Sequence, residues 1–208
     1  RPAVEHGGER RLDLDGHVIV LFDLDGTLAD TAPDLAAAAN RQRIERGLAP
    51  LPIEKLRTFA SHGARGLIGT ALGRKPGDDD YEALRVQFLA YYEQALCVHS
   101  RLFPGMAETL AGLEAAGLRW GIVTNKAARF TVPLVRSLGL ADRAACVVSG
   151  DTTPHAKPHP APVLHAIAAA GSTPAASAYV GDDLRDIEAG RAAGTLTGSR
   201  GCGPASAS

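Results

Sequence analysis

Two carboxylates spaced two residues apart, Asp23 and Asp25, directly follow a run of five apolar residues and precede Gly26 and Thr27. The run 18–22 is mostly β-branched or aromatic, which predicts a buried strand that ends in a tight turn. In open α/β sheets, ligands bind beyond the carboxyl ends of the strands, where the strand order reverses. Because alternate residues of an extended segment face the same way, both carboxylates are expected to share that crevice.

This short pattern also fits simpler structures. A solvated turn after a strand would use Asp25 and Gly26 in the same way. A calcium loop of the EF-hand type does not fit, because it needs its glycine at the sixth position and a helix in front. A second copy of the polar pattern, at residues 13–16, has no apolar run before it and is interpreted as a loop.

Later apolar runs are also expected to be strands, and polar residues lie at or just beyond the carboxyl end of each. These residues are Thr124, Asn125, Lys157, Asp182 and Asp183. Taken singly, each has an ordinary explanation, such as a helix cap or a solvated lysine. Their common position at one edge of a sheet favours a shared site.

The order of the apolar patterns predicts an α/β fold, with a Rossmann-like parallel sheet and right-handed crossovers. Strands are expected at residues 18–22, 118–123, 145–148 and 178–180, and helices at 106–116, 127–138, 161–170 and 184–193. Residues 30–99 carry helical patterns and no strand. We therefore predict a core of residues 17–29 and 100–196, and an inserted α-helical cap domain of residues 30–99.

Composition narrows the classes of function. The 208 residues contain 22 basic and 23 acidic side chains, which gives no overall attraction to nucleic acid or to an anionic membrane. No apolar run reaches the roughly 18 residues of a membrane span. Three cysteines without a CxxC pair suggest neither a disulfide framework nor a zinc site. We expect a cytoplasmic monomer or homodimer that acts on a small molecule, with no nucleic-acid or membrane partner.

Together, the polar segments resemble the four signatures of haloacid dehalogenase superfamily phosphatases. The matching segments are residues 23–27, the strand end at Thr124, Lys157 within 156–160, and residues 181–186. The resemblance covers nearly all of residues 18–194. The helical insertion resembles the family's cap of the first type, which lies over the site and selects substrates. Residues 30–35 and 61–65 are similar to those of phosphoglycolate phosphatases and of N-acetylmuramic acid 6-phosphate phosphatases.

The resemblance implies a phosphate monoester as substrate, and this dianion would be repelled by Asp23, Asp25 and Asp182 unless a cation were bound. Ligation by oxygen atoms, with room for waters and a phosphate oxygen, fits Mg²⁺. Asp23 and Asp182 are the expected carboxylate ligands, and the resemblance adds the backbone carbonyl of Asp25. Asp183 and Asp186 are expected to fix a metal-bound water or the site lysine.

The catalytic roles also follow the resemblance. Asp23 is expected to attack phosphorus and form an aspartyl phosphate. Asp25 is expected to protonate the leaving alcohol and then to deprotonate the water that hydrolyses the intermediate. Thr124, the Asn125 amide and Lys157 are expected to hold the equatorial phosphate oxygens.

Substrate choice is expected to depend on the cap, where the polar turn 61–65 interrupts otherwise apolar helices. Arg65 is the candidate for binding a substrate carboxylate, with help from His62 and the backbone amides near Gly63. A solvated helix residue and an ordinary turn are the alternative interpretations. The preferred substrate is 2-phosphoglycolate, with N-acetylmuramic acid 6-phosphate as the alternative, since both carry a carboxylate.

Three other functions share part of this pattern. A dehalogenase of the same superfamily needs neither an acid two residues after the nucleophile nor a metal cluster, so Asp25 and the pair Asp182 and Asp183 argue against it. A sugar-phosphate mutase would share every catalytic group named above. A binding protein that has lost turnover is disfavoured because all the motif residues are present.

The two ends of the chain are predicted to be polar and flexible, at residues 1–16 and 197–208. Residues 195–208 are rich in Gly, Ser and Ala and have almost no apolar periodicity, a composition typical of disordered segments. Members of the family that the chain resembles normally continue here with another strand and a loop that contains an aromatic residue. We therefore expect a truncated or frameshifted end, a sheet without that outer strand, and a segment 198–208 that is dispensable for chemistry.

Overall fold

Residues 18–199 are described by the computed structural model of the chain. In chain order the elements are β1 (Ile19–Phe22), β2 (Ala29–Asp30), α1 (Ala32–Ile44), α2 (Ile53–Arg57), a 3₁₀ turn (Ala60–His62), α3 (Gly63–Leu72), α4 (Tyr81–Gln94), β3 (Arg101–Leu102), α5 (Met106–Ala115), β4 (Arg119–Val123), α6 (Ala128–Ser137), β5 (Val147–Val148), α7 (Ala161–Ala169), a second 3₁₀ turn (Pro174–Ala176), β6 (Ser177–Gly181), α8 (Leu184–Ala192) and β7 (Leu196–Ser199). Among these residues, no helix combines the length and apolar character that crossing a membrane would need.

The central sheet contains five parallel strands in the order β5-β4-β1-β6-β7. From β1 the chain moves outward through β4 and β5, and then crosses to β6 and β7 on the other side. The strand order therefore reverses at β1, which is where this class of sheet opens a crevice for ligands. The predicted α/β class with a parallel sheet is confirmed.

Each face of the sheet is covered by helices. Ile19 and Leu21 are fully buried in a cluster with α7 and α8, while Phe22 contributes to a cluster with α5 and α6. This alternation follows from the two-residue period of a strand. It explains why β1 is apolar along its whole length: both of its faces are buried.

The four helices α1 to α4 pack around a separate apolar cluster. We call these helices, together with the 3₁₀ turn at 60–62, the cap helices. Leu67, Phe88 and Tyr92 lie at the centre of the cluster, and Phe130 of α6 joins it from the sheet side. The chain enters and leaves this region through β2 and β3, which pair antiparallel. Asp30 therefore belongs to a strand, although residues 30–99 were expected to contain helices and no strand. The domain boundaries themselves stay a prediction.

The predicted absence of an outer strand is wrong. Residues 196–199 form β7, which pairs in parallel with β6 in the register Tyr179↔Thr197. The strand was hidden because it has small and polar residues rather than apolar alternation. Small residues also let α8 approach it, since a Cβ at Gly190 would lie 2.7 Å from Thr197 Oγ1. Residues 197–199, which were expected to belong to a flexible end, lie in β7. The rest of the two expected flexible ends, residues 1–16 and 200–208, lies outside the described residues.

Candidate active site

The register of the sheet brings three strand ends to one edge. Phe22 of β1 is paired with Ile122 of β4 and with Val180 of β6. The backbone N–H of Asp23 donates to the Val180 carbonyl at 2.9 Å, so this residue is still attached to the sheet. The residues that follow the three strands therefore meet at the crevice where the strand order reverses.

Lys157 is buried at the centre of this edge, with 3% of its side chain exposed. Its Nζ lies 2.8 Å from Asp23 Oδ1, 2.7 Å from Asp186 Oδ1, 2.7 Å from the Tyr179 hydroxyl and 2.9 Å from the Val123 carbonyl. Burial alone would lower the pKa of Lys157, but the two carboxylates outweigh it and raise the pKa. The ammonium is therefore a fixed positive charge beside Asp23.

The carboxyl of Asp23 is held in a strongly perturbed environment. Burial raises its pKa to about 7, and the charges of Asp186 and Asp25 act in the same direction, while Lys157 opposes them. A group of this kind is neutralised in one of two ways, by a proton or by a cation. Its position at the floor of the crevice leaves it accessible from the ligand side.

Asp23, Asp182 and Asp186 bring carboxylate oxygens within 4.8 Å of one another. Asp182 is exposed, and its Oδ1 accepts a hydrogen bond from Thr27 Oγ1 at 2.8 Å. The backbone at Gly26, with φ +89°, lies so close that a Cβ there would be 2.4 Å from Asp182 Oδ2. Hard oxygen donors that converge in this way fit Mg²⁺.

Asp186 and Asp183 have different partners, although they were expected to have similar roles. Asp186 is buried and contacts Lys157 through Oδ1, while its Oδ2 accepts the backbone N–H of Asp183 at 3.1 Å. Asp183 caps the start of α8 by accepting the Arg185 N–H at 2.9 Å. It also pairs with the Arg185 guanidinium, which lowers the pKa of Asp183 to about 2. Among the contacts of residues 18–199, Asp183 does not reach Lys157.

Asp25 is held through one of its two oxygens. Its Oδ1 accepts a hydrogen bond from Thr31 Oγ1 at 2.5 Å and lies 3.1 Å from Lys126 Nζ. Lys126 in turn lies 4.7 Å from the centre of the Tyr92 ring, which belongs to α4 of the cap helices. Both of these contacts use Oδ1, and they tie Asp25 to β2 and β4 through the residues that follow those strands.

Thr124 and Asn125 follow β4, as predicted, and each also has a structural task. The Thr124 hydroxyl accepts the backbone N–H of Lys126 at 3.1 Å, so it serves as a local cap and keeps its proton for another acceptor. The Asn125 side chain both donates to the Lys157 carbonyl and accepts the Lys157 N–H, each at 2.9 Å. This two-point contact fixes the loop that carries Lys157.

A cavity of about 370 Å³ lies between this edge of the sheet and the cap helices. The expected cap residues His62, Gly63 and Arg65 all line it, with the side chains of His62 and Arg65 exposed. Its apolar wall is formed by Leu35, Tyr81, Phe88, Leu89, Tyr92 and Phe130. Further cations on its wall are Arg85, Lys126, Arg129 and Arg185. The predicted site residues of core and cap thus surround a single space, except Asp182, which lies beside Asp23 and Asp186 but not on the cavity wall.

Four residues with evident parts in this geometry were not given a role from sequence. Lys126 follows Asn125 directly, and its position after the strand end was the available signal. Tyr179 is a tyrosine in a strand expected to be buried, and a buried phenolic hydroxyl usually has a specific hydrogen-bond partner. Thr27 and Arg185 lie inside the quoted motifs, but no sequence feature indicates which partner each would find.

Comparison with known proteins places this geometry in a family. A model described as haloacid dehalogenase-like hydrolase matches residues 20–198. The N-acetylmuramic acid 6-phosphate phosphatase of Pseudomonas putida is 48% identical over 178 residues, covering 86% of this chain and 80% of that protein. The phosphoglycolate phosphatase of Nitrosospira multiformis is 45% identical over 180 residues, covering 85% and 79%. The crystal structure of a predicted phosphoglycolate phosphatase from Haemophilus somnus has a TM-score of 0.75 at 31% identity, covering 88% of this chain and 84% of that one. The chain belongs to the haloacid dehalogenase-like hydrolase family.

Proposed function

We propose that this chain is a Mg²⁺-dependent phosphomonoesterase whose substrate is a carboxylated sugar phosphate such as N-acetylmuramic acid 6-phosphate. The observation that carries the activity is the contact between Asp23 and Lys157 beside the convergent carboxylate of Asp182. A nucleophile, a fixed cation and a place for a second cation are what phosphoryl transfer requires. The named phosphatases among its relatives support the same activity.

Asp23 is the proposed nucleophile, and it would form a bond to phosphorus as the ester oxygen leaves. Asp23 and Asp182 would hold Mg²⁺, together with the backbone carbonyl of Asp25, the residue before Gly26. When bound, Mg²⁺ supplies positive charge that offsets both the carboxylates and the phosphate dianion. Lys157 would stay protonated and hold a phosphate oxygen, since its raised pKa keeps the charge at any working pH.

Asp25 is the proposed acid and base. Its Oδ1 is occupied by Thr31 and Lys126, which fixes the plane of the carboxyl group. The remaining oxygen would give its proton to the leaving alcohol and then take a proton from the attacking water. Thr124 and the backbone amide of Asn125 would hold the remaining phosphate oxygens, while the Asn125 side chain keeps Lys157 in place.

The size and lining of the cavity support the larger of the two candidate substrates. Its volume of about 370 Å³ falls in the range of roughly 300 to 1,000 Å³ that is usual for drug-sized ligands. Glycolate is a two-carbon acid and would leave most of the apolar wall in contact with water. An N-acetylated sugar with a lactyl side chain can cover Phe88, Leu89 and Phe130 and still present a carboxylate to an arginine.

Phosphoglycolate is the second candidate, because the same arginine could bind its carboxylate, so Arg65 by itself does not distinguish the two substrates. Arg65 projects from the cap turn into the same cavity, and one bidentate arginine is enough to recognise a small carboxylate. Cytoplasmic location, and the choice between monomer and homodimer, stay predictions.

The test is a side-by-side measurement of kcat/KM for N-acetylmuramic acid 6-phosphate, 2-phosphoglycolate and p-nitrophenyl phosphate by release of inorganic phosphate. We expect the sugar phosphate to be preferred, and EDTA to abolish all three activities. The matched control is Asp23→Asn, which keeps the shape of the side chain and removes the nucleophile. Turnover in metal-free buffer, or full activity of Asp23→Asn, would contradict the mechanism, and a preference for phosphoglycolate would contradict the substrate. Product analysis with a bisphosphate activator distinguishes a mutase.

A further inference from the structure

Arg185 connects the catalytic edge of the core to the turn of the cap that faces the substrate. It lies in the first turn of α8, two residues after Asp183. Its Nη2 donates to the carbonyl oxygen of Ser61 at 2.9 Å, across 124 residues of chain. Ser61 lies in the 3₁₀ turn 60–62 and is followed by Gly63 and Arg65, which line the cavity.

The guanidinium of Arg185 is held on the core side before it reaches the cap. Its Nε lies 2.8 Å from Asp183 Oδ1, and its Nη2 lies 3.0 Å from Asp183 Oδ2. This is the bidentate geometry in which a planar guanidinium has a fixed direction. The second hydrogen of Nη2 then points away from the carboxylate, toward Ser61. A lysine has a single flexible ammonium and cannot reproduce both contacts in one plane.

We propose that Arg185 is a positioning residue that holds residues 61–65, the cap turn, in register with the phosphate site. Gly63 has φ +58°, so the chain changes direction at the point where the side chains turn into the cavity. A hydrogen bond that fixes the carbonyl of Ser61 therefore fixes the start of the segment that carries His62 and Arg65. The part of this proposal that concerns substrate binding rests on the proposed function above.

Other contacts across the cavity join a different part of the cap to the core, which separates their role from that of Arg185. Tyr92 of α4 lies 4.7 Å from Lys126 Nζ and 5.5 Å, between ring centres, from Phe130. These contacts join α4 to the start of α6, and they involve no atom of the cap turn. Among the hydrogen bonds of residues 18–199, the one from Arg185 joins the cap turn to the core, whereas α4 meets the core through ring and cation contacts.

Loss of this contact should weaken substrate selection more than chemistry. A hydrogen bond from a charged donor is commonly worth about a factor of ten or more in an equilibrium. Binding of a substrate whose carboxylate contacts the cap turn depends on whether the turn is held in place. p-Nitrophenyl phosphate has no carboxylate to contact the cap. The effect should appear mainly in KM, because the groups around phosphorus are on the core.

The experiment compares Arg185→Met, Arg185→Lys and the control Arg191→Met in the full chain. Arg191 lies on the exposed last turn of the same helix, away from the cavity. We expect Arg185→Met to lower kcat/KM on the carboxylated sugar phosphate roughly tenfold through KM, with a loss on p-nitrophenyl phosphate at least threefold smaller. Arg185→Lys should behave like Arg185→Met, and Arg191→Met like the wild type.

Amide hydrogen exchange supplies a measurement that needs no substrate. In both Arg185 variants the amides of 61–65 should exchange at least threefold faster, while those of α6 keep their wild-type rates. Unchanged exchange in the cap turn, or equal losses on all substrates, would overturn the proposal and leave Arg185 as a partner of Asp183 alone. If the wild type hydrolyses neither carboxylated ester, the proposed substrate class fails, and the exchange rates still decide the role of Arg185. Arg185→Lys keeps the test open if Arg185→Met does not fold.

Discussion

The core wall and the cap wall of the cavity hold their polar side chains in different ways. On the core wall, Lys157 and Asp186 are buried, and each has several partners within 3.1 Å. On the cap wall, His62 and Arg65 are exposed. Stabilising a transition state requires charges that do not reorganise, whereas selecting a substrate tolerates side chains that adjust on contact. The comparison indicates that the chemistry is built into the sheet edge and that specificity is added by a more adaptable surface.

The largest effect is expected when the buried cation of the core wall is removed, and this substitution is the strongest test of the contrast between the two walls. Lys157→Met leaves the carboxylates of Asp23 and Asp186 buried without their ammonium partner, which should cost about 3–5 kcal/mol in the free energy of unfolding. Urea denaturation of the metal-free protein at pH 8 measures this cost. At pH 5.5 the cost should be smaller. The pKa of Asp23 is already about 7 with Lys157 in place, and loss of the ammonium raises it further, so Asp23 is protonated at that pH with or without Lys157.

The control for this variant is the exposed ion pair between Arg74 and Asp80, whose side chains are about half exposed at a separation of 3.0 Å. Arg74→Met should leave the unfolding free energy nearly unchanged, since solvent screens such pairs. Equal effects of the two substitutions would mean that Lys157 is not part of a preorganised centre, and the contrast between the two walls would be lost.

A smaller effect concerns the binding of Mg²⁺ as a function of pH. The pKa of Asp23 is raised from 3.8 to about 7, so below pH 7 a cation must displace a proton. The apparent affinity for Mg²⁺ should therefore rise about tenfold per pH unit up to pH 7 and then level off. For the same reason, the metal-free protein should lose stability from this group as the pH rises from about 4 to 7, because the folded state holds a proton that the unfolded chain has released.

Isothermal titration with Mg²⁺ between pH 5.5 and 8 tests this linkage. The matched variant is Asp183→Asn, since the pKa of Asp183 is about 2 and lies outside the titrated range. The pH dependence should persist in that variant. An affinity that does not change with pH would show that Asp23 carries no proton near neutrality.

Sequence alone predicted the core wall far better than the rest of the molecule. Apolar runs that end in Asp23, Thr124 and Asp182 fix both the strands and the edge they share, because parallel strands in register deliver their next residues to one place. The bonds between Asn125 and Lys157 were not predictable, since nothing in the spacing shows which loop will approach which strand. The strand β7 was missed because its pairing depends on small residues beside α8 rather than on apolar periodicity.

The last prediction concerns Arg65 on the cap wall. Arg65→Met should lower kcat/KM for the preferred carboxylated substrate roughly 10- to 150-fold, which corresponds to about 1.5 to 3 kcal/mol, the value of a hydrogen bond to a charged group. The loss on p-nitrophenyl phosphate should be much smaller, because that ester lacks the carboxylate. The matched control is Arg85→Met, which removes another cation from the same cavity wall but lies on α4 rather than in the cap turn. If both variants lose activity equally, the cavity attracts anions through its overall charge. If Arg65→Met alone affects the carboxylated substrate, recognition belongs to the cap turn, and the adaptable wall contains a specific contact after all.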